Sequence, residues 1–344
     1  MAAAAAAPTN SSSHSPLVVL DAPALLSLLP PSALIPHLRS TLPALSSSVR
    51  APLRHSHPLS QGEAAPPSLL LLMPCWSLDP SLLPYLGVKI VTVTPSVRAS
   101  YSLFSSPGGL PLASLDGTLL TLLRTSAASA LASLLLSRPS SSTLVLLGAG
   151  ALAPHLVSAH RVARPGLTRF LLWNRTPEKA SHLASQLQLQ HPGVLFQVAD
   201  DVDEAVAAGD IVCCATGSRT PLVKGERLKR GAHLNMVGSF TPEMRECDDE
   251  AVRRGRVFVD SEDAFREAGE LVGALERGVI SREDVAGTLA DLAAGRVVGR
   301  RGEEEEEVTV FKSVGTAVFD LLTAQLAYES FLKGSENTSE VPTY

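Results

Sequence analysis

The sequence predicts an α/β protein, a doubly wound parallel sheet joined to a second, α+β region, and three observations carry that expectation. From Thr143 onward, short apolar runs alternate with helical stretches of about 10 to 15 residues, the rhythm of parallel strands linked by crossover helices. The turn in "VLLGAGALAPHL" (145 to 156) sets two closely spaced glycines between such a run and a helix. Upstream, strand-like runs broken by turn residues lead into one long helix that is apolar on every side.

Taken in order, "MAAAAAAPTNSSSHS" (1 to 15) reads as a disordered leader, and residues 16 to 50 as short helical pieces rich in Leu and Pro. The stretch "HSHPLSQGEAAPPS" (55 to 68) has the composition of a loop. "LLLLMP" (69 to 74), "VKIVTV" (88 to 93) and "SYSLF" (100 to 104) are strand signals of a small sheet, with "SPGG" (106 to 109) as a hairpin turn. Asp116 is placed to cap a helix running to about Arg138, and "PSSS" (139 to 142) marks a boundary. Six strands follow, at 143 to 148, 169 to 174, 194 to 199, 210 to 216, 232 to 238 and 256 to 260. "RGEEEEE" (301 to 307) reads as a solvated loop, and the residues beyond it as an amphipathic helix that either finishes the parallel sheet or returns to the first region.

Composition narrows the function. With 29 basic against 34 acidic side chains, a net charge of −5 and no basic cluster, the chain lacks the surface that nucleic acid or an anionic membrane requires. No apolar run of the length of a bilayer span escapes interruption by Ser, Arg or Pro. Cys75, Cys213, Cys214 and Cys247 have no metal-ligand spacing, so no metal is expected, and adjacent Cys213 and Cys214 point to opposite faces of one strand as core residues. The thiols suit a reducing compartment. No basic residue precedes Arg39, which speaks against a signal or transit peptide, so a cytoplasmic location is expected.

The glycine-rich turn points to a dinucleotide. Gly148, Ala149, Gly150 and Ala151 would wrap a pyrophosphate, and the small Ala153 lets helix and strand pack closely. In such sites the next strand normally ends in an acid that binds the ribose 2′-hydroxyl of NAD. Here Asn174, Arg175 and Thr176 stand in its place, a set that suits a 2′-phosphate, so NADPH is the expected cofactor. The plainer alternative makes Arg175 a solvated loop residue and Asn174 a turn former before Pro177.

Lys89 sits inside an apolar strand and Arg124 inside an apolar helix, and a buried cation needs an anionic partner. Structural ion pairs are one answer. A substrate carboxylate held by arginines, with a lysine of lowered pKa passing a proton at a C=N bond, is another.

Several segments resemble one family. "GVKIVTV" (87 to 93), "LDGTLLTLLRTSAASALAS" (115 to 133), "LLGAGALAPHL" (146 to 156), "LLWNRTPEKA" (171 to 180), "LKRGAHLNMVGSFTPEMRECDDE" (228 to 250), "VFVDS" (257 to 261) and "TVFKSVGTAVFDL" (309 to 321) are similar to the ornithine cyclodeaminase and mu-crystallin family. The likeness runs from about residue 20 to 332. It implies a Rossmann NADP(H)-binding domain at 139 to 308, and a substrate-binding and dimerisation domain made of 16 to 138 with 309 to 344, in a homodimer. It implies that Arg54 and Arg124 hold a substrate carboxylate, that Lys89 is the active-site lysine, and that Thr216, Val237 and Lys312 lie near the cofactor.

One departure shapes the expected activity. In the family's cyclodeaminases an aspartate stands two residues before the proline matching Pro242, and here that position is Phe240. A phenyl ring cannot serve the amine of ornithine but suits a flat cyclic imine. The expected activity is therefore NADPH-dependent reduction of cyclic ketimine carboxylates, Δ1-pyrroline-2-carboxylate and Δ1-piperideine-2-carboxylate, to proline and pipecolate. The alternatives are an ornithine cyclodeaminase, a related amino-acid dehydrogenase, and a non-enzymatic NADPH-binding protein that sequesters a small acidic ligand.

Overall fold

The computed structural model describes residues 17–45, 48–59, 68–94, 96–302 and 306–339; the expected leader lies outside them. The first sheet begins with β1 (Val18–Leu20), which pairs parallel to β7 (Pro111–Asp116). Between them come α1 (Ala22–Leu28), α2 (Pro31–Leu45), β2 (Val49–Arg50), β3 (His55–Pro58), β4 (Leu69–Ser77), β5 (Tyr85–Val93) and β6 (Val97–Ser105). The strand order is β1-β7-β6-β5-β4-β2, with β3 also on β4. Residues 55 to 58, expected in a loop, are thus an edge strand. All four of its side chains are exposed, so no apolar alternation marks it, and it ends in a proline, which an edge permits because the missing N–H need not serve a second strand.

Alternation puts Met73, Lys89, Tyr101 and Leu115 side by side on the inner face, where helices cover them. The outer face carries Leu72, Trp76, Val88, Ile90 and Phe104, all half-buried. The hairpin between β6 and β7 turns at Gly109, with φ +64, as the Ser-Pro-Gly-Gly sequence predicts. Helix α3 (Gly117–Leu136) starts where predicted, Asp116 accepting from Leu119 N at 2.9 Å. It is long and apolar enough to cross a membrane, but 78% of its most apolar stretch is buried inside the protein.

The second sheet is parallel throughout. Its strands are β8 (Thr143–Leu147), β9 (Arg169–Trp173), β10 (Leu195–Val198), β11 (Ile211–Cys214), β12 (His233–Met236), β13 (Gly255–Val259), β14 (Val285–Thr288) and β15 (Val308–Lys312). They are connected by α4 (Ala153–Ala163), α5 (Pro177–Gln190), α6 (Val202–Ala208), α7 (Asp249–Arg254), α8 (Ala264–Glu267), α9 (Gly269–Glu276) and α10 (Leu289–Ala293). The order β10-β9-β8-β11-β12-β15-β13-β14 reverses between β8 and β11, as in a Rossmann fold.

Two strands exceed the expected six. β15 slots between β12 and β13, so the change of region expected at residue 309 falls inside a strand, and the chain leaves this sheet only after Lys312. Its β-branched run, Val308 to Val310, is fully buried on both faces, the pattern of a central parallel strand. The final helix, α11 (Ala317–Ser339), packs back on the first sheet against β4, β5 and α3. It is buried nearly all round from Ala317 to Tyr328 rather than amphipathic, because it fills the space between that sheet and α1 to α3.

A buried polar network ties α3 to the parallel sheet. Ser129 donates to Asn235 Oδ1 at 2.9 Å, while Asn235 Nδ2 donates to Ser129 O and Ser133 Oγ. His160 donates from Nδ1 to Leu156 O at 2.8 Å, so its Nε2 accepts from Ser133 Oγ at 2.9 Å. Thr309 gives its proton to Leu136 O, which leaves His233 Nδ1 as donor to Thr309 Oγ1. Burial lowers the pKa of His160 to about 4 and that of His233 below its ordinary value.

Candidate active site between the two sheets

The phosphate turn lies at the end of β8, where the strand order reverses. Gly148 has φ +108, and a Cβ there would strike Ala215 O; the space around Gly150 is open. One cleft is lined by residues 148 to 150, 173 to 176 and 215 to 218, with Lys179 and Leu222. Asn174 accepts from Ala149 N at 3.1 Å and donates to Thr176 O at 2.9 Å, so it braces the turn. Arg175 and Lys179 are exposed on the rim, no carboxylate among the described residues lines the cleft, and Ala151 is exposed at the start of the connection to α4. Lys179 was not expected; an unassigned Lys four residues after Arg175 was its only trace in the sequence. An open glycine cradle with cations at its far end fits a dinucleotide.

Below the loops after β11 and β12 lies a cluster that the sequence reading did not assemble. Glu246 accepts from Thr216 N at 2.7 Å and Oγ1 at 2.9 Å, from Gly238 N at 2.9 Å and from Ser239 N at 3.3 Å. Burial raises its pKa, with Lys312 opposing. Lys312 Nζ stands 2.8 Å from Glu270 Oε1 and 3.9 Å from Glu246 Oε2, all three side chains being fully buried. Val237 N donates to Cys214 O at 2.9 Å. Lys312 therefore lies beneath the cofactor-side loops, paired with acids rather than open to the cleft.

The cations of the first region converge on α11. Asp320 is fully buried, with Oδ2 2.7 Å from Lys89 Nζ and Oδ1 3.0 Å from Arg124 Nε. Burial by itself would raise the Asp320 carboxyl, but Arg124 and Lys89 bring it below its ordinary value. Burial lowers the Lys89 ammonium to about 8; Asp320 holds it up, while Arg124 and Arg54 push it further down. Among the described residues nothing accepts from Arg124 Nη1 or Nη2, which flank Gly315.

Arg54 approaches from the other side. Its Nη2 donates to Glu267 Oε2 at 2.7 Å and to the carbonyls of Val314 and Gly315 at 3.2 and 3.4 Å, leaving Nη1 and Nε without a partner among the described residues. Neither Asp320 nor Glu267 was singled out from the sequence. Lone acids on a helix carry no local signal, though each buried cation required one. Phe240 is 43% exposed on the loop after β12. Cys213 and Cys214 are buried in separate core clusters on opposite faces of the sheet, as predicted.

A Rossmann sheet with an open phosphate turn, set against a buried lysine and two one-sided arginines, defines a nicotinamide-dependent oxidoreductase. The model of the ornithine cyclodeaminase/mu-crystallin family matches residues 70–335. Protein SAR DEFICIENT 4 of Arabidopsis thaliana is 49% identical over 92% of this chain and 98% of its own. The Δ1-pyrroline-2-carboxylate reductase of Colwellia psychrerythraea is 36% identical over 86% and 93%. A solved structure, Thermococcus litoralis Δ1-pyrroline-2-carboxylate reductase in complex with NADH and L-proline, superposes with a TM-score of 0.84 at 31% identity, covering 93% of this chain and 98% of that one. The chain belongs to the ornithine cyclodeaminase/mu-crystallin family and is an NAD(P)H-dependent oxidoreductase.

Proposed function

We propose that the enzyme reduces the cyclic ketimine carboxylates Δ1-pyrroline-2-carboxylate and Δ1-piperideine-2-carboxylate to proline and pipecolate, with NADPH as donor. The observation that carries this reading is the Lys89–Asp320–Arg124 cluster facing Arg54. Arg124 Nη1 and Nη2 and the unpartnered edge of Arg54 are the groups for a carboxylate. Lys89, with its pKa near 8, is mostly ammonium at neutral pH yet able to release its proton to the ring nitrogen. The cofactor, when bound, supplies the hydride. The exposed ring of Phe240 offers an apolar face to the ring carbons, in place of the acid a cyclodeaminase would use. Arg175 and Lys179 favour NADPH over NADH through the 2′-phosphate.

The half-buried apolar outer face of the first sheet supports a homodimer joined through Trp76, Ile90 and their neighbours, since a second copy would complete the burial of these side chains. We place the enzyme in the cytoplasm.

The test is loss of NADPH absorbance with each imine, beside NADH, and with Lys89→Ala as control. Turnover that prefers NADPH and is lost with Lys89 supports the reading. NADPH binding with no turnover on either imine would overturn it, and release of ammonia from ornithine would favour the cyclodeaminase instead.

A further inference from the structure

We propose that Asp260, at the end of β13, is a positioning residue for the substrate arginines: it holds the turn 313 to 315 against which both rest. Its Oδ2 accepts three bonds from that turn, from Ser313 Oγ at 2.7 Å, Val314 N at 3.1 Å and Gly315 N at 2.7 Å. Its Oδ1 accepts from Ser261 N at 2.8 Å. The side chain is buried, and among the described residues no lysine or arginine pairs with it. A carboxylate has an acceptor oxygen at both positions, whereas an amide has one at only one of them.

The turn has work on its other side. The carbonyls of Val314 and Gly315 accept from Arg54 Nη2. Gly315, at φ +83, passes so close to Arg124 that a Cβ would stand 2.8 Å from Nη1 and 2.9 Å from Nη2. The same turn leads into α11. Asp260 lies on the parallel sheet and both arginines on the first region, so this carboxylate fixes the substrate-side cations relative to the cofactor sheet. The proposal rests on the reading that Arg54 and Arg124 take the substrate carboxylate.

Asp260→Asn tests it. An amide can keep oxygen at only one of the two positions, so an NH2 group must face donors at the other. We expect the KM for the imine to rise about 10- to 100-fold, with kcat within about 3-fold and the KM for NADPH within about 2-fold, because misplacement of the arginines weakens carboxylate binding alone. Ser313→Ala removes one of the three bonds, and should raise the same KM by about 3- to 10-fold. An unchanged imine KM in both variants overturns the proposal. So does a fall in kcat with unaltered KM, since that is only a smaller folded fraction. If the wild type turned over neither imine, the functional reading would fall. Hydrogen exchange at the Gly315 amide would still decide for Asp260: faster exchange in Ser313→Ala and Asp260→Asn supports it, and equal exchange overturns it.

Discussion

Replacing Asp320 by asparagine should move the pH range in which the enzyme works. Among the described residues Asp320 is the carboxylate that pairs with both Lys89, at 2.7 Å, and Arg124, at 3.0 Å, and it is fully buried. At 2.7 Å and an effective dielectric constant of about 20, the Lys89–Asp320 attraction is roughly 6 kcal/mol, or about four pKa units. Side-chain relaxation and entering water return part of this, so the Lys89 pKa should fall by at least about 2, from about 8 to about 6 or lower. If the ammonium is the proton donor, kcat/KM for the imine at pH 7.5 should drop roughly 20-fold or more and recover toward pH 5.5. Wild type and variant are to be compared on one substrate with saturating NADPH, so that titration of the imine is common to both profiles. A basic limb at the same pH in both proteins would refute the reasoning.

Arg175→Ala should raise the KM for NADPH about 10-fold and leave NADH nearly unchanged, and adding Lys179→Ala should roughly double that loss in free-energy terms; equal effects on both cofactors would remove these residues from cofactor choice. Gly315→Ala should destabilise the protein by more than about 1 kcal/mol, because an L side chain is strained at its positive φ and would crowd Arg124, and a urea midpoint equal to wild type would contradict this. For His160 the folded pKa is depressed to about 4, so unfolded chains take up a proton below about 6.5 while folded ones do not. Its stabilising contribution is whole above pH 6.5 and is lost as pH falls from there to about 4, at most about 3 kcal/mol. Urea midpoints should therefore fall less between pH 7 and 5 in His160→Gln than in wild type, and equal losses would count against it.

By itself the sequence determined the fold class, the phosphate turn, the cap of α3 and the need of Lys89 and Arg124 for anions, because each is written in neighbouring residues. Periodicity marks a strand, closely spaced glycines mark a turn, and a charge in an apolar run announces an unmet requirement. It missed the edge strand His55–Pro58, whose side chains are all exposed, and the strand Val308–Lys312, which lies far in sequence from its neighbours in the sheet. Which acids meet the cations only the tertiary structure decided. Asp320 lies 196 residues from Arg124, and Glu267 lies 213 from Arg54. Asp260 and Glu246 act by holding loops rather than by touching the cleft, so nothing in their own neighbourhoods distinguishes them from surface acids. A pairing across such distances is fixed by how α11 and the two sheets pack, and packing is a property of the whole chain.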